Sequence, residues 1–277
     1  DAMRCFTMNQ QYQIGLVVFD WAGTTVDYGS SAPSEVFDRV FSAAGITLTR
    51  EEINAPMGME KKAHIRELLS CPSGRDQWKT RYKRPWNEED VERLYQEFEA
   101  TLSQVVAEYS VPLPGVREAV AALRDMGIKI GSTTGYNAQI MEKVIPAAKA
   151  LGYEADCVVT PDVTGKGRPS PFMLYECMRQ MEIYPPCRVV KVGDTVVDIA
   201  EGKNAGAYTI GVLTGSNLLG LTQAEYEDME RQELSQRKKK AALRYLESGA
   251  DLVIDSIQEL PQVIQTLNRR MARGEAL

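Results

Sequence analysis

The chain has 277 residues, 44% hydrophobic and 25% charged, which is long enough for one large domain or for a core carrying a smaller inserted one. Its longest apolar runs fall far short of the roughly 20 residues needed by a membrane-spanning helix, and a net charge of −6 gives no electrostatic reason to expect nucleic acid or an anionic membrane as partner. The five cysteines (Cys5, Cys71, Cys157, Cys177 and Cys187) are odd in number and fit neither a zinc spacing nor a disulfide framework, so packing roles in a reducing cytoplasm are expected.

Asp1 to Met8 show no apolar stretch of signal-peptide type, and Met8 is expected to be the natural start, with a leader or remnant before it. Ile14 to Phe19 (IGLVVF) is a short β-branched run that predicts a buried strand, with Asp20 at its carboxyl end and the turn-prone stretch Trp21 to Thr25 behind it. Between Pro33 and Ser110 the apolar spacing is helical (Val36, Phe37, Val40 and Phe41; Ile65, Leu68 and Leu69; Val91, Leu94, Tyr95 and Phe98), and no strand is predicted. This predicts an all-helical insert over 29–111, opened near Ala32-Pro33 and closed near Pro112 to Gly115, in a core made of 1–28 and 112–277. Such an insert is suited to be a mobile cap.

From Val116 onward strands and helices alternate: helix Val116–Met126, strand Ile128–Ser132, helix Asn137–Leu151, strand Cys157–Thr160, helix Pro171–Met181, strand Val189–Val192, helix Val197–Ala205, strands Tyr208–Val212 and Leu252–Ile254, and a final helix near Ile257–Leu267. One long helix, acidic then basic, is predicted near Gln223–Leu246, where the run Arg237 to Lys240 reads as a solvated face. The alternation predicts an α/β fold, a Rossmann-like doubly wound parallel sheet covered on both sides, with ligands at the carboxyl ends of its strands.

Chemistry-bearing residues stand at those ends. Asp20 follows the first strand, Thr133-Thr134-Gly135 the second, Arg168 lies in a glycine-rich loop, and Gly193-Asp194 follows a later strand with Asp198 four residues on. A carboxylate can be nucleophile and metal ligand, a threonine hydroxyl with backbone N–H groups can hold phosphate oxygens, and a cation can neutralise developing charge. Taken singly, each residue has a structural reading as well: Asp20, Thr134 and Asp198 as caps, Arg168 as a surface ion pair. Four such groups in order at successive strand ends favour phosphoryl transfer.

The ordered set Asp20, Thr134, Arg168, and Asp194 with Asp198 resembles the haloacid dehalogenase superfamily over the whole chain, with the cap between the first and second motifs. The resemblance implies that Asp20 attacks phosphorus to give an aspartyl phosphate, and that Asp20, Asp194 and the backbone oxygen of Ala22 hold Mg²⁺. Phosphatases of that superfamily carry a second aspartate where this chain has Ala22, a general acid whose loss typically costs about 10²–10⁴-fold in rate. An alanine there points to a leaving group other than oxygen.

The stretches FDWAGTTVDY (Phe19–Tyr28) and APMGMEKKAH (Ala55–His64) are similar to those of phosphonoacetaldehyde hydrolases, whose imine-forming lysine falls on Lys61. An imine turns the departing carbon into an enamine instead of a carbanion, and the amine must be neutral to form it, which requires a lowered pKa. His64 shares a helical face with Lys61 and is expected to carry protons for imine formation and hydrolysis. By the same resemblance Met57, Gly58, Gly135 and Tyr136 border the pocket, although Met57 also suits the core. Ser30 stands where family members often carry cysteine, and Lys62 is expected to be a solvated neighbour. The implied function is hydrolysis of phosphonoacetaldehyde to acetaldehyde and phosphate, in a homodimer. A phosphate monoester hydrolase or phosphomutase on the same fold is the alternative, and a catalytically dead binding protein a further one.

Overall fold

The computed structural model describes residues 13–275 and 277, so the expected start at Met8 and the packing role of Cys5 lie outside the described residues. Strands β1 (Leu16–Phe19), β2 (Lys129–Thr133), β3 (Cys157–Val159), β4 (Val189–Gly193), β5 (Tyr208–Val212) and β6 (Leu252–Ile254) form one parallel sheet in the order β3-β2-β1-β4-β5-β6. The apolar run of β1 is explained by burial on both faces: Leu16, Val17, Val18 and Phe19 are fully covered. Alternation sends Val17 and Phe19 into the larger core, shared with the helical insert, and Leu16 and Val18 into a second core with Met173, Leu174 and Cys177.

The insert holds α1 (Ser31–Ala43), α2 (Arg50–Asn54), α3 (Lys61–Ser70), α4 (Pro72–Tyr82) and α5 (Glu88–Val105), with no strand, as its periodicity predicted. Phe37 of α1 stacks on Phe98 of α5, with ring centroids 4.2 Å apart. The chain leaves the sheet slightly earlier than expected: α1 begins at Ser31, and Ala32-Pro33 lie in its first turn. Asp27 sets that start, its carboxylate accepting from the backbone N–H groups of Ser31 (2.9 Å) and Ala32 (3.1 Å).

Around the sheet lie α6 (Val116–Asp125), α7 (Ala138–Ala150), α8 (Pro161–Thr164), α9 (Phe172–Met181), α10 (Val196–Ala205), α11 (Gln223–Asp228), α12 (Arg231–Glu247) and α13 (Leu260–Ala272). The single helix expected over Gln223–Leu246 is two, because Met229 and Glu230 are extended. Met229 and Tyr226 pack against a small core with Leu213 and Leu221, while Ala241 and Tyr245 anchor α12 in the same core, Tyr245 donating to the Asp194 and Val212 carbonyls at 2.8 Å each. The basic run is a helix face, with Lys238 paired to Asp255 at 2.7 Å and Arg237 to Glu233 at 2.8 Å. Among the described residues no helix is long and apolar enough to cross a membrane.

Candidate active site

The strand order places β1 between β2 and β4, where successive connections run to opposite sides and a cleft opens at the carboxyl ends. Asp20 emerges there, its amide donating to the Val192 carbonyl at 3.0 Å. Arg168, fully buried, reaches it from the loop after α8: Nη2 lies 2.7 Å from Asp20 Oδ1 and donates to the Thr133 carbonyl at 2.5 Å. Its Nη1 lies 3.0 Å from Asp198 Oδ1 and donates to the Gly58 carbonyl at 3.4 Å. Thr134 follows β2, and its hydroxyl accepts from the Tyr136 amide at 3.1 Å.

Asp194 follows β4. Its Oδ1 accepts from the Thr24 hydroxyl (3.1 Å), and its Oδ2 from the Asn217 amide (2.8 Å) and the Ser30 hydroxyl (3.4 Å). Burial pushes the Asp194 carboxyl well above the usual carboxylate range, and the nearby Asp20 and Asp198 push it further. Asp198 both caps and pairs: its Oδ2 accepts from the Thr195 hydroxyl (2.7 Å) and amide (3.1 Å) in a capping box at the start of α10. Burial works to raise Asp198, but Arg168 and Lys191 outweigh it and hold it low.

Carboxylate oxygens of Asp20, Asp194 and Asp198 all lie within 4.8 Å of one another. Three buried acids that crowd one another until one is driven toward protonation fit a hard divalent cation, which would relieve the repulsion through oxygen ligands. Asp198 is already engaged by Arg168, Lys191 and Thr195, so Asp20 and Asp194 are the better ligands, with Ala22 on the same cavity wall. The loop that carries Ala22 is drawn tightly in: Gly23 has φ +82, and a Cβ there would sit 2.1 Å from Asp194 Oδ2.

The insert supplies the opposite wall. Glu60 caps α3, accepting from the Lys62 and Ala63 amides at 3.1 Å each, and so fixes Lys61 at the first turn. Just before it the chain touches the core so closely at Gly58 (φ +90) that a Cβ would meet Thr195 Oγ1 at 2.5 Å. Lys61 is only 6% exposed. Its Nζ lies 4.0 Å from Met57 Sδ, 5.2 Å from the Tyr136 ring centre and 5.8 Å from that of Phe37. Burial lowers its pKa to about 8; Asp20 pulls it up and Arg168 pushes it down.

Asp20, Ala22, Ser30, Met57, Gly58, Lys61, Thr134, Gly135, Tyr136 and Arg168 line a common cavity of about 20 Å³, joined by Pro33 and Thr195. His64, Asp194 and Asp198 stand behind its walls. His64 lies one turn on from Lys61, fully buried against Phe37 (centroids 4.0 Å), with Nε2 2.8 Å from the Ile53 carbonyl and Nδ1 without a hydrogen-bond partner. Burial and then Lys61 lower its pKa well below the ordinary value, so the ring is neutral. Lys62 pairs with Glu92 at 2.7 Å, away from the cavity, as expected of a solvated neighbour.

Sequence reasoning missed Thr24, Thr195, Lys191 and Glu201. The capping box was legible as Thr195-x-x-Asp198, and a lysine inside the apolar strand Val189–Gly193 signalled a buried partner. Nothing in the local sequence named Glu201 as that partner.

The family description "haloacid dehalogenase-like hydrolase" matches residues 14–206, and a second of the same kind matches 165–260. A phosphonoacetaldehyde hydrolase of Bacillus cytotoxicus is 46% identical over 258 residues, which is 93% of this chain and 98% of that protein. The chain belongs to the phosphonoacetaldehyde hydrolase family of the haloacid dehalogenase-like hydrolases. A phosphonoacetaldehyde hydrolase of Parabacteroides distasonis is 45% identical over 93% of this chain and 98% of its own length. A solved phosphonoacetaldehyde hydrolase-like protein from Oleispira antarctica superposes with a TM-score of 0.94 at 35% identity, covering 98% of this chain and 99% of that one. A β-phosphoglucomutase from Clostridium difficile shares only the fold, with a TM-score of 0.65 at 15% identity. Hydrolases of this superfamily generally use a divalent metal, and the acidic trio offers one a place.

Proposed function

We propose that this chain is an enzyme that hydrolyses the carbon–phosphorus bond of phosphonoacetaldehyde, through an imine on Lys61 and a phosphoryl group on Asp20. One observation carries the reading: an amine with its pKa lowered to about 8 opens on the same cavity as the strand-end carboxylate, where alanine replaces the acid that an oxygen leaving group would need. The names of the family members support the substrate. The helical insert 29–111 acts as the cap, and a homodimer and a cytoplasmic setting remain part of the proposal.

Thr134, Gly135 and Arg168 receive the phosphonate while neutral Lys61 adds to the aldehyde and loses water to form the imine. His64 carries protons through Nδ1, the ring nitrogen left without a partner. Met57, Gly58 and Tyr136 enclose the carbon end. Asp20 attacks phosphorus, the C–P electron pair moves into the protonated imine, and an enamine departs. The enamine, still held on Lys61, takes a proton on its terminal carbon to become an imine again, and water then frees phosphate from Asp20 and acetaldehyde from Lys61. Asp20, Asp194 and the Ala22 carbonyl would hold Mg²⁺, which supplies positive charge against the phosphonate oxygens when bound. Ser30, hydrogen-bonded to Asp194, supports that side of the site.

The test combines phosphate release with borohydride trapping. Wild-type protein should release phosphate from phosphonoacetaldehyde and, with borohydride, carry the reduced adduct on Lys61. Lys61→Arg keeps the charge but cannot form the imine and should lose both. Full turnover in Lys61→Arg, or an aryl phosphate cleaved as well as phosphonoacetaldehyde, would overturn the reading, the latter in favour of a phosphate monoester hydrolase.

A further inference from the structure

Two charged side chains behind the cavity have no part in the reaction outlined above. Lys191 lies in the middle of β4, Glu201 lies on α10, and both are fully buried. Their contacts lead to Arg168. Lys191 Nζ is 3.0 Å from Glu201 Oε2 and 3.1 Å from Asp198 Oδ1, and it donates to the Thr133 hydroxyl at 2.8 Å. Arg168 Nε is 3.1 Å from the same Glu201 oxygen. That N–H is not directed along a hydrogen bond, so the Arg168–Glu201 contact is one of charge.

Arg168 therefore touches three carboxylates: Asp20 at 2.7 Å, Asp198 at 3.0 Å and Glu201 at 3.1 Å. A single guanidinium so surrounded, away from water, has little charge left for a phosphonate dianion. Lys191 changes the balance by touching the two rear acids. The two cations then match Asp198 and Glu201, and the Nη2 edge of Arg168 is left facing Asp20. The Thr133 hydroxyl ties the arrangement together: it receives Lys191, donates to Glu201 at 2.9 Å and accepts from Arg168 Nη2 at 3.1 Å. Burying such charges costs stability that an apolar pair of the same volume would not, so a role in the site explains them better than a role in the fold.

We infer that Lys191 is a positioning residue, which neutralises Glu201 so that the Arg168 charge stays directed at Asp20 and at the phosphonate oxygens. The inference rests on the activity proposed above. Its test uses the full chain as Lys191→Met, Glu201→Gln and the double variant, each measured for kcat and KM with phosphonoacetaldehyde, for inhibition by orthophosphate with Mg²⁺ present, and for melting temperature. Lys191→Met should lose about 10²-fold in kcat/KM, the scale of one misdirected donor, and should bind orthophosphate more weakly. Glu201→Gln should bind orthophosphate at least as tightly as wild type, because it removes a negative charge beside Arg168. The double variant should recover to within about tenfold of wild-type kcat/KM, again on that scale.

A purely structural pair would instead make both single variants lose phosphate affinity in step with melting temperature, with no recovery in the double. That outcome overturns the inference. Should Lys191→Met not accumulate folded, Glu201→Gln and the double variant decide by the same criterion: weaker orthophosphate binding than wild type in Glu201→Gln overturns it. A wild-type chain that leaves phosphonoacetaldehyde untouched refutes the activity instead, and the orthophosphate inhibition constants, or orthophosphate titrations in that case, still judge Lys191.

Discussion

On the sheet side of the cavity, charge is kept by pairing at every acid but Asp194, which burial and its acidic neighbours push toward protonation. Arg168 and Lys191 face Asp198 and Glu201 at 3.0 to 3.1 Å, Asp20 lies against Arg168, and Asp194 is held by Thr24, Ser30 and the Asn217 amide. On the insert side, charge is disfavoured by burial: Lys61 is packed among Met57, Phe37 and Tyr136, and His64 between Phe37 and the Ile53 carbonyl. The same physical cost, that of an ion away from water, is offset in one wall and left standing in the other. The contrast matches the two halves of the proposed reaction, since phosphoryl transfer needs fixed charges and imine formation needs an uncharged amine.

The sharpest way to break the comparison is Asp20→Asn. Phosphate release should fall by ~10⁴-fold or more, while borohydride still traps an adduct on Lys61. Loss of trapping as well would show that the walls do not act separately. Chelation of divalent metal should cost ~10³-fold in phosphate release, restored by Mg²⁺, again with Lys61 trapping intact.

The next test strikes the insert wall alone. Phe37→Ala removes the ring that covers both Lys61 and His64, and should cost about 3–5 kcal/mol in denaturant unfolding. Water admitted beside Lys61 should also raise its pKa, moving the rise in activity to higher pH. In the wild type that rise is the mildest effect. Only the neutral amine adds to the aldehyde, so kcat/KM should climb about tenfold per pH unit below the Lys61 pKa and level off above about 8. A rate that falls as pH climbs toward that value would contradict the burial argument.

What could be read before any coordinates follows the same division. The strands were legible because β1 is an apolar run and β4 nearly one, interrupted by Lys191, both buried on both faces, and the insert because Val36, Phe37, Val40 and Phe41 keep helical spacing. The cavity-lining groups sat at strand ends, where the fold class concentrates chemistry, and Lys61 was found through its similarity to a family motif. The rear of the site was hidden because its partners are distant in sequence: Lys191 meets Thr133 across 58 residues and Thr133 meets Glu201 across 68. The break between α11 and α12 was hidden for a related reason, since polar sequence on both sides of Met229 kept helical character while the anchors of the two helices are distant in sequence, Tyr226 at Thr214 and Tyr245 at Asp194 and Val212.

A chamber of about 20 Å³ has room for roughly one water molecule, far less than an aldehyde bearing a phosphonate. On the proposed activity, each turnover would then need the insert to swing outward to load and again to discharge. The insert meets the core through two connections: Asp27 to Ser30, which ends on the cavity wall beside Asp194, and Pro112 to Gly115, which contributes nothing to that wall. Mutations in the second connection can set the ceiling on throughput while leaving the chemistry itself untouched.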